Sequence, residues 1–238
     1  MKRYIISLTL LLCVGTVGAQ TQQEWRDSVS VLSQMIERNP RDLTLRLRKA
    51  ACNIELGQWQ YALDEYTYVL ETEPKNMTAL YYRGYANHHL GRLSFARKDY
   101  EVLLAVAPLN SHALMGLIMV NLEDKRFTQA FDDANRLVEQ LPETAETYAV
   151  RAEVEKAMGM IEAAIEDIEK AISIEDAVVK KKYPNSVDDD ITSYQLTAFA
   201  LYIQKHQKDK AKAALDYLVE NGVPRAALVD YYAMLNFK

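Results

Sequence analysis

The side chains that most often perform catalysis are scarce in this sequence and do not form a catalytic set. Beyond Gln20 there is one cysteine, Cys52, which therefore has no partner for an intramolecular disulfide. Equivalent places later in the chain hold small apolar residues, which predicts a buried and inert thiol. No glycine-rich phosphate loop, G-x-S-x-G elbow, H-E-x-x-H or C-x-x-C motif occurs. These observations argue against an enzyme and predict no cofactor.

Three histidines raise the question of a metal site. His88 and His89 are adjacent, and adjacent residues of a helix point about 100° apart. His112 is predicted to start a later helix, whereas His88 lies near the end of an earlier parallel one. About ten residues of helical rise separate such positions by about 15 Å, which is too far for shared coordination. We therefore expect no metal site.

Charged residues recur in pairs that keep a constant separation along the chain. In a helical hairpin this separation can bring the two charges together, so we interpret the pairs as structural ion pairs. The pairs are Lys49 with Glu65, Arg83 with Asp99, and Arg151 with Asp167; Leu117 takes the basic place opposite Asp133.

A column of asparagines has the same phase as these pairs. Its members are Asn53, Asn87 and Asn121, with Glu155 in the fourth place. The column predicts a hydrogen-bonded ladder between stacked helices. The alternative is that the amides hold the backbone of a partner.

The elements that position these residues repeat with a 34-residue period. Apolar-periodic stretches end on Pro40, Pro74, Pro108 and Pro142. Three other columns keep this step: Ala62, Ala96, Ala130 and Ala164; Gly57, Gly91 and Gly159, interrupted by Lys125; and Trp59, Leu93, Phe127 and Ile161. The pattern predicts antiparallel helix pairs with alanine at the closest approach and glycine in a left-handed turn. One pair cannot bury its apolar face alone, so successive pairs must stack.

These columns resemble the tetratricopeptide repeat family from about Leu43 to Asp176. The family phrase A-x3-F/Y…P stands as Ala62, Tyr66 and Pro74, and again as Ala96, Tyr100 and Pro108. Later units depart from it, with Ala134 and Ile168 in the aromatic place and Asp176 in place of the last proline.

The resemblance implies an all-α solenoid of stacked helix pairs. Four units are expected at 43–76, 77–110, 111–144 and 145–176. A helix in 20–42 is predicted to pack on the first unit through Trp25, Val29, Leu32, Met35 and Ile36. Residues 177–238 are predicted to hold a degenerate fifth pair and a terminal helix that spans about 224–236.

The resemblance also implies that the first helix of each pair lines a concave groove where partners dock. The residues that map onto the groove are Leu47, Ala51, Ile54, Tyr81, Tyr85, His88, Met115, Met119, Leu122, Ala149, Glu153 and Lys156. Aromatic anchors beside adaptable methionines suit protein recognition. The alternative is that the C-terminal segment of the chain covers this face.

One known use of such a groove does not fit this sequence. Some family members clamp the terminal carboxylate of a partner with cationic and amide side chains. The matching places here hold Leu47, Ala51, Tyr82, Ile118 and Leu122. The groove is therefore predicted to be apolar and aromatic.

The N-terminal segment 1–19 has the pattern of a secretory signal peptide. Lys2 and Arg3 precede an apolar run that is too short to span a bilayer, and no later stretch is long enough to do so. Small residues at 17–19 predict cleavage between Ala19 and Gln20. The alternatives are an uncleaved anchor and lipidation at Cys13.

Charge sets a limit on the partners of the mature chain. The formal charge of the full chain is −5, and removal of Lys2 and Arg3 takes it to −7. An acidic chain without a basic patch is a poor candidate for nucleic-acid binding. The expected partner is a protein or a peptide.

The predicted function is a non-enzymatic interaction scaffold of the bacterial cell envelope, exported and located in the periplasm of a Gram-negative bacterium. A second interpretation is an accessory factor of an envelope assembly or secretion machine. A third is an enzyme or ligand sensor that uses residues 177–190, where a basic run precedes an acidic one. Capping of two helix ends by these charges accounts for the same pattern.

Overall fold

Helices make up most of the described chain. The computed structural model describes residues 22–182 and 189–235; the predicted signal peptide, Cys13 and residues 183–188 lie outside these ranges. The described residues form twelve α-helices and no strand, which confirms the all-α prediction. The helices are α1 (Gln22–Arg38), α2 (Leu43–Glu55), α3 (Trp59–Thr72), α4 (Met77–His89), α5 (Leu93–Val106), α6 (Ser111–Glu123), α7 (Phe127–Gln140), α8 (Ala145–Ala157), α9 (Ile161–Lys182), α10 (Asp189–Gln204), α11 (Lys208–Glu220) and α12 (Val229–Met234).

Consecutive helices pack against each other from α1 to α11, as expected for a stack of helix pairs. The turns within and between the first four pairs are a few residues long, so neighbouring helices run antiparallel. The first helices of neighbouring pairs also contact each other, α4 with α6 and α6 with α8, more closely than the second helices do. The first helices therefore lie on the inner, concave side of the stack.

The alanine column lies where the two helices of a pair come closest. Ala62, Ala96, Ala130 and Ala164 are 0% exposed, and so is Ala211, which has the same place in the α10–α11 pair. A larger side chain at these positions would overpack the contact and cost about 1–3 kcal/mol. The alanines therefore set the spacing of the helices that carry the site.

The turn between the helices of a pair uses a left-handed residue. Gly57, Gly91 and Gly159 have φ of +68°, +71° and +78°. Lys125 takes the same turn with φ of +58°, so the conformation belongs to the position in the repeat and not to glycine itself. A residue with a Cβ is less favourable there, by roughly 1–2 kcal/mol.

A capping column that we did not predict starts the first helices. Asp42, Asn76 and Asn110 lie two residues after the repeating prolines, and their side chains accept hydrogen bonds from backbone N–H groups of α2, α4 and α6. Each cap satisfies a donor that the helix leaves open and fixes where the first helix begins. Thr144 makes no such side-chain bond at the start of α8.

The N-terminal helix α1 covers one end of the stack. Leu32 and Ile36 are buried, and they cluster with residues of α2 that include Cys52. Met35, which the helical spacing placed on the same apolar face, is instead 39% exposed. It lies one residue before Ile36, which takes the buried position.

The C-terminal part departs from the 34-residue pattern. Asp176 stands where a proline would end the second helix, and α9 continues through it to Lys182. Aspartate keeps its backbone N–H and has no ring that clashes with the preceding turn, so nothing stops the helix there. The predicted terminal helix is also shorter, because a 3-10 turn at Arg225–Leu228 precedes α12.

Candidate functional site

Aromatic rings gather on the concave side of the second unit. Tyr81 and Tyr85 lie one helical turn apart on α4, and both are half-buried. The ring of Tyr85 packs edge-on against His89 at 4.4 Å and against Trp59 at 5.8 Å, measured between centroids. Trp59 and His89 stack face to face at 4.0 Å. Contacts of this kind hold the Tyr85 ring in one position.

Tyr100 of α5 lies in the core and packs against the Tyr81 ring of this surface. It is almost fully buried, and its ring lies 5.9 Å from that of Tyr81. A Cβ added at Gly116 would come within 2.6 Å of the Tyr100 ring, and one added at Gly84 within 2.9 Å. The two glycines therefore let α4 and α6 close on either side of the ring, which sets the spacing of the concave face here.

The two methionines predicted for the groove have different environments. Met119 of α6 is 39% exposed, whereas Met115 is 9% exposed and belongs to the core beneath α6. Leu122 is half-buried against the same core. Ile54 is also buried. The structure thus corrects the placing of Met115 and Ile54 on the accessible face, and Met119 is the methionine that a partner can reach.

The remaining predicted groove positions are smaller or partly covered. Leu47 packs against the core of the first two units, and Ala149 packs against that of the last two. Ala51 is half-buried. They add apolar area to the concave side but no anchor of the size of Tyr85.

One predicted site residue, His88, bridges α4 and α6. His88 Nε2 lies 2.7 Å from a carboxylate oxygen of Glu123, which joins the second unit to the third. Glu153 and Lys156 instead pair with each other within α8, at 2.5 Å. The charge of Lys156 is therefore already matched by a neighbour on its own helix.

Glu146, in the first turn of α8, was not among the predicted site residues. It takes the same place in the repeat as Thr78 and His112, so the repeat column could have identified it. The ring of Tyr81 packs edge-on against His112 at 6.2 Å. Burial raises the pKa of Tyr81 to about 12, and the charges of Tyr85 and Glu146 add to the shift. The concave side thus brings the rings of Tyr81 and His112 together from two successive first helices.

The three predicted ion pairs form, in the first, second and fourth units. Glu65 lies 2.8 Å from Lys49, and Asp99 and Asp167 each make two hydrogen bonds, with Arg83 and Arg151 respectively. In the third unit, where Leu117 replaces the cation, Asp133 pairs with the exposed Arg136 of its own helix. Burial raises the pKa of Asp133, an effect that the nearby charge of Arg136 opposes.

The asparagine column does not form a ladder. Asn87 donates to Asp99 of its own unit at 3.3 Å, and Asn121 accepts from Nε of Arg97 at 2.9 Å. Neither amide atom of Asn53 has a hydrogen-bond partner among the described residues. All three asparagines are buried, so they do not reach a partner's backbone either. Asn87 and Asn121 therefore hydrogen-bond to charged side chains in the core. The amide of Asn53 is buried without such a bond among the described residues.

Outside the concave side, the described residues that could act as a nucleophile or as metal ligands do not form a site. Cys52 is buried, and desolvation raises the pKa of its thiol, which disfavours the nucleophilic thiolate. Across 22–182 and 189–235, no three His, Cys, Asp or Glu side chains are placed to hold a metal. Over the same residues, no helix has both the length and the apolar character needed to cross a membrane.

The described C-terminal helix packs at the end of the stack. Tyr231 of α12 lies edge-on to Phe199 of α10, 5.5 Å between centroids, and the Tyr232 hydroxyl donates to Asp216 of α11 at 2.7 Å. These contacts cover the last helix pair. They leave the Tyr85 and Met119 surface of the second and third units uncovered by α12.

Comparison with known proteins identifies the repeat. A family model described as tetratricopeptide repeat matches residues 54–105 and 94–145. No curated protein matches the sequence.

Solved structures share the fold at low sequence identity. A tetratricopeptide repeat protein from Parabacteroides merdae has a TM-score of 0.64 at 18% identity, covering 90% of this chain and 78% of its own. TTC0263, a thermophilic TPR protein of Thermus thermophilus, has a TM-score of 0.60 at 20% identity, covering 82% and 100%. YrrB, described as a TPR protein with an unusual peptide-binding site, has a TM-score of 0.57 at 18% identity, covering 82% and 93%.

Proposed function

The chain belongs to the tetratricopeptide repeat family, and on that premise we propose that it is a non-enzymatic scaffold that binds a protein or peptide partner on its concave side. The contact centres on Tyr85 of α4 and Met119 of α6. Repeat proteins of this kind present extended concave surfaces on a rigid frame. YrrB, which shares the fold, is described as having a peptide-binding site, and this supports peptide binding as a use of the fold.

One observation carries the proposal. Tyr85 is held by edge-on ring contacts with Trp59 and His89, while Met119 on the next first helix is 39% exposed. A fixed aromatic ring loses little conformational freedom on binding, and an exposed methionine adapts to the shape of its partner. Together they form an apolar anchor point of the type found at the centre of interfaces.

A double substitution tests this surface. Peptides selected from a random displayed library on wild-type protein serve as the probe, and their affinity is measured by fluorescence anisotropy. Residues at the centre of an interface often carry about 2 kcal/mol or more, so Tyr85→Ala with Met119→Ala should weaken binding at least about tenfold.

Glu166→Ala is the matched control, since Glu166 is exposed on the second helix α9, and its affinity should stay at the wild-type value. Circular dichroism verifies that the double variant is folded. Undiminished binding by a folded double variant would place the interaction surface elsewhere, and failure to select any peptide would also count against the proposal.

The proposed location is the cell envelope, with the mature protein in the periplasm of a Gram-negative bacterium. Support comes from the sequence, where Lys2 and Arg3 precede an apolar run and small residues stand at 17–19. An exported scaffold of this kind is also suited to serve as an accessory factor of an envelope assembly or secretion machine, which is the second candidate role.

Mass spectrometry of the protein recovered from the native envelope tests the location. The expected mature N-terminus is Gln20, because cleavage follows the small residue Ala19. A lipidated N-terminal Cys13 would move the protein to a membrane surface, and an intact Met1 in the cytoplasm would contradict export.

A further inference from the structure

Two exposed aromatic rings mark the convex side of the stack, where the second helices lie. Tyr61 of α3 and Phe95 of α5 are 65% and 62% exposed, and each is the third residue of its helix. Gln129 and Ala163 stand in the same place of the next two units, so the repeat itself does not require an aromatic residue there. Single exposed apolar side chains are ordinary, whereas two large rings at one place on neighbouring helices suggest a binding surface.

A chain of hydrogen bonds joins the starts of α3 and α5 beside these rings. Arg92, which precedes α5, donates to Gln60 of α3 at 3.0 Å, and Gln60 donates to Asp64 of its own helix at 2.7 Å. Gln60 is next to Tyr61, and Arg92 lies three residues before Phe95. The bonds therefore fix the helix ends that carry the two rings relative to each other.

Two exposed cations flank Phe95. Arg92 lies three residues before it and Lys98 three residues after it, a spacing that brings side chains of a helix close together. Among the described side chains neither cation pairs with a carboxylate, since Arg92 donates to the neutral amide of Gln60 and Lys98 forms no hydrogen bond or ion pair. The one acidic side chain of the sequence outside this set, Asp188, stands beside α10 in the chain. A carboxylate brought by a partner would therefore meet positive charge on both sides of an aromatic ring.

The surface continues into a cleft between α3 and α5. The cleft has a volume of about 220 Å³, and the exposed Lys98 is among its lining residues. Leu70, Leu80 and Val102, from three successive helices, give it an apolar lining. Arg136 stands in the place of Val102 in the next unit, so this lining is not repeated there. A partner can bury an apolar side chain in the cleft while a neighbouring carboxylate reaches Lys98.

We propose that the convex side of the first two units is a second docking surface, which binds a segment of a partner protein that carries an aspartate or glutamate between apolar residues. One apolar side chain of the segment lies on Tyr61 and Phe95, the carboxylate lies at Lys98, and the next apolar side chain enters the cleft. This surface is separate from the concave groove. With both surfaces in use, the protein joins two partners.

The charges on this side favour a protein segment over a membrane surface. Asp64 and Glu71 of α3 are exposed there, and the formal charge of the full chain is −5. An anionic bilayer would contact these carboxylates together with the cations and be repelled by them, whereas a narrow segment can place a single carboxylate at Lys98.

Peptides from a random displayed library test this surface when they are selected on the variant Tyr85→Ala with Met119→Ala, which lacks the concave anchor. The selected peptides should be enriched in aspartate or glutamate beside apolar residues. Adding Tyr61→Ala with Phe95→Ala should weaken their binding at least about tenfold, measured by fluorescence anisotropy. Both added changes are at exposed positions, and circular dichroism verifies that the protein remains folded.

A double-mutant cycle tests the place of the carboxylate. Lys98→Gln should weaken binding about threefold to tenfold, and replacing the acidic residue of the peptide by its amide should have a similar effect. The two changes together should weaken binding little more than either one alone. Lys212→Gln makes the same chemical change at an exposed position on α11 and should leave the affinity unchanged.

Four results would overturn this inference: no peptide selected on this variant, peptides without an acidic residue, an acidic residue that contributes equally with and without Lys98, or affinity that survives Tyr61→Ala with Phe95→Ala. Binding to vesicles of phosphatidylglycerol and phosphatidylcholine that these two changes abolish would also overturn it, because the surface would then be a membrane contact. None of these results bears on the concave groove, whose peptides are selected on wild-type protein and lose affinity on Tyr85→Ala with Met119→Ala.

Discussion

Replacement of Arg83 by methionine should destabilise the protein by about 3 kcal/mol. Arg83 makes two hydrogen bonds to Asp99, at 2.6 and 3.0 Å, and the Asp99 side chain is only 4% exposed. Methionine keeps much of the apolar stem of arginine but removes its charge. Breaking a buried pair costs about 3–5 kcal/mol, because it leaves an uncompensated charge, and the low end applies because Asn87 still donates to Asp99. Urea denaturation measures the loss.

A second substitution tests whether the stability loss comes from burial of the Asp99 charge or from the loss of any ion pair. Arg136→Met removes the exposed pair with Asp133 on α7, and it should cost less than about 1 kcal/mol. The double variant Arg83→Met with Asp99→Leu should recover most of the stability lost by Arg83→Met alone, since the buried charge is gone. Equal losses for Arg83→Met and Arg136→Met would contradict the assignment of Asp99 as a buried charge that depends on its partner.

Glutamine in place of Glu155 should make the protein more stable at pH 8 than the wild type. Glu155 stands where the other units have asparagine, its side chain is 6% exposed, and Oε2 has no hydrogen-bond partner among the described residues. Desolvation, followed by the charge of Asp167, raises the pKa of Glu155 to about 7, while Arg151 acts against the shift from 4.0 Å. The uncharged amide does not incur the cost of ionising there.

The direction of the pH dependence follows from the raised pKa. Between the ordinary pKa of 4.5 and about 7, the unfolded chain releases this proton while the folded protein retains it. The contribution of Glu155 to stability is therefore greatest at low pH, falls as the pH rises through this window, and reaches its lowest value above pH 7. The full change is on the order of 3 kcal/mol.

The measured quantity is the difference in unfolding free energy between Glu155→Gln and wild type, determined at several pH values. The difference should shift in favour of the variant by about 3 kcal/mol from acidic to mildly alkaline pH. Glu153→Gln on the same helix is the control, because it makes the same chemical change at a partly exposed side chain that is paired with Lys156. A flat difference for Glu155→Gln would show that this carboxyl titrates normally in the folded protein.

The residues behind these two predictions show which interactions of the repeat columns could be predicted from the sequence. The ion pairs were predicted because both residues lie in one helical hairpin, whose geometry the constant separation along the chain largely determines. The capping column of Asp42, Asn76 and Asn110 was equally readable, since it follows the prolines at a constant distance. The asparagine column was misread, because its bonds depend on side chains of neighbouring helices such as Arg97 and Asp99.

By itself the sequence determined the all-α stack, the length of its unit and the face of each helix that packs inward. These properties depend on contacts within a helix or between the two helices of one unit, which recur with the 34-residue period. The tertiary structure decided which groove residues a partner can reach. It buries Met115 while exposing Met119, and it packs the ring of Tyr81 on α4 against that of His112 on α6. The reason is that the spacing of units depends on the volumes packed between them, as where the Tyr100 ring fits against two glycines, and no single repeat contains that information.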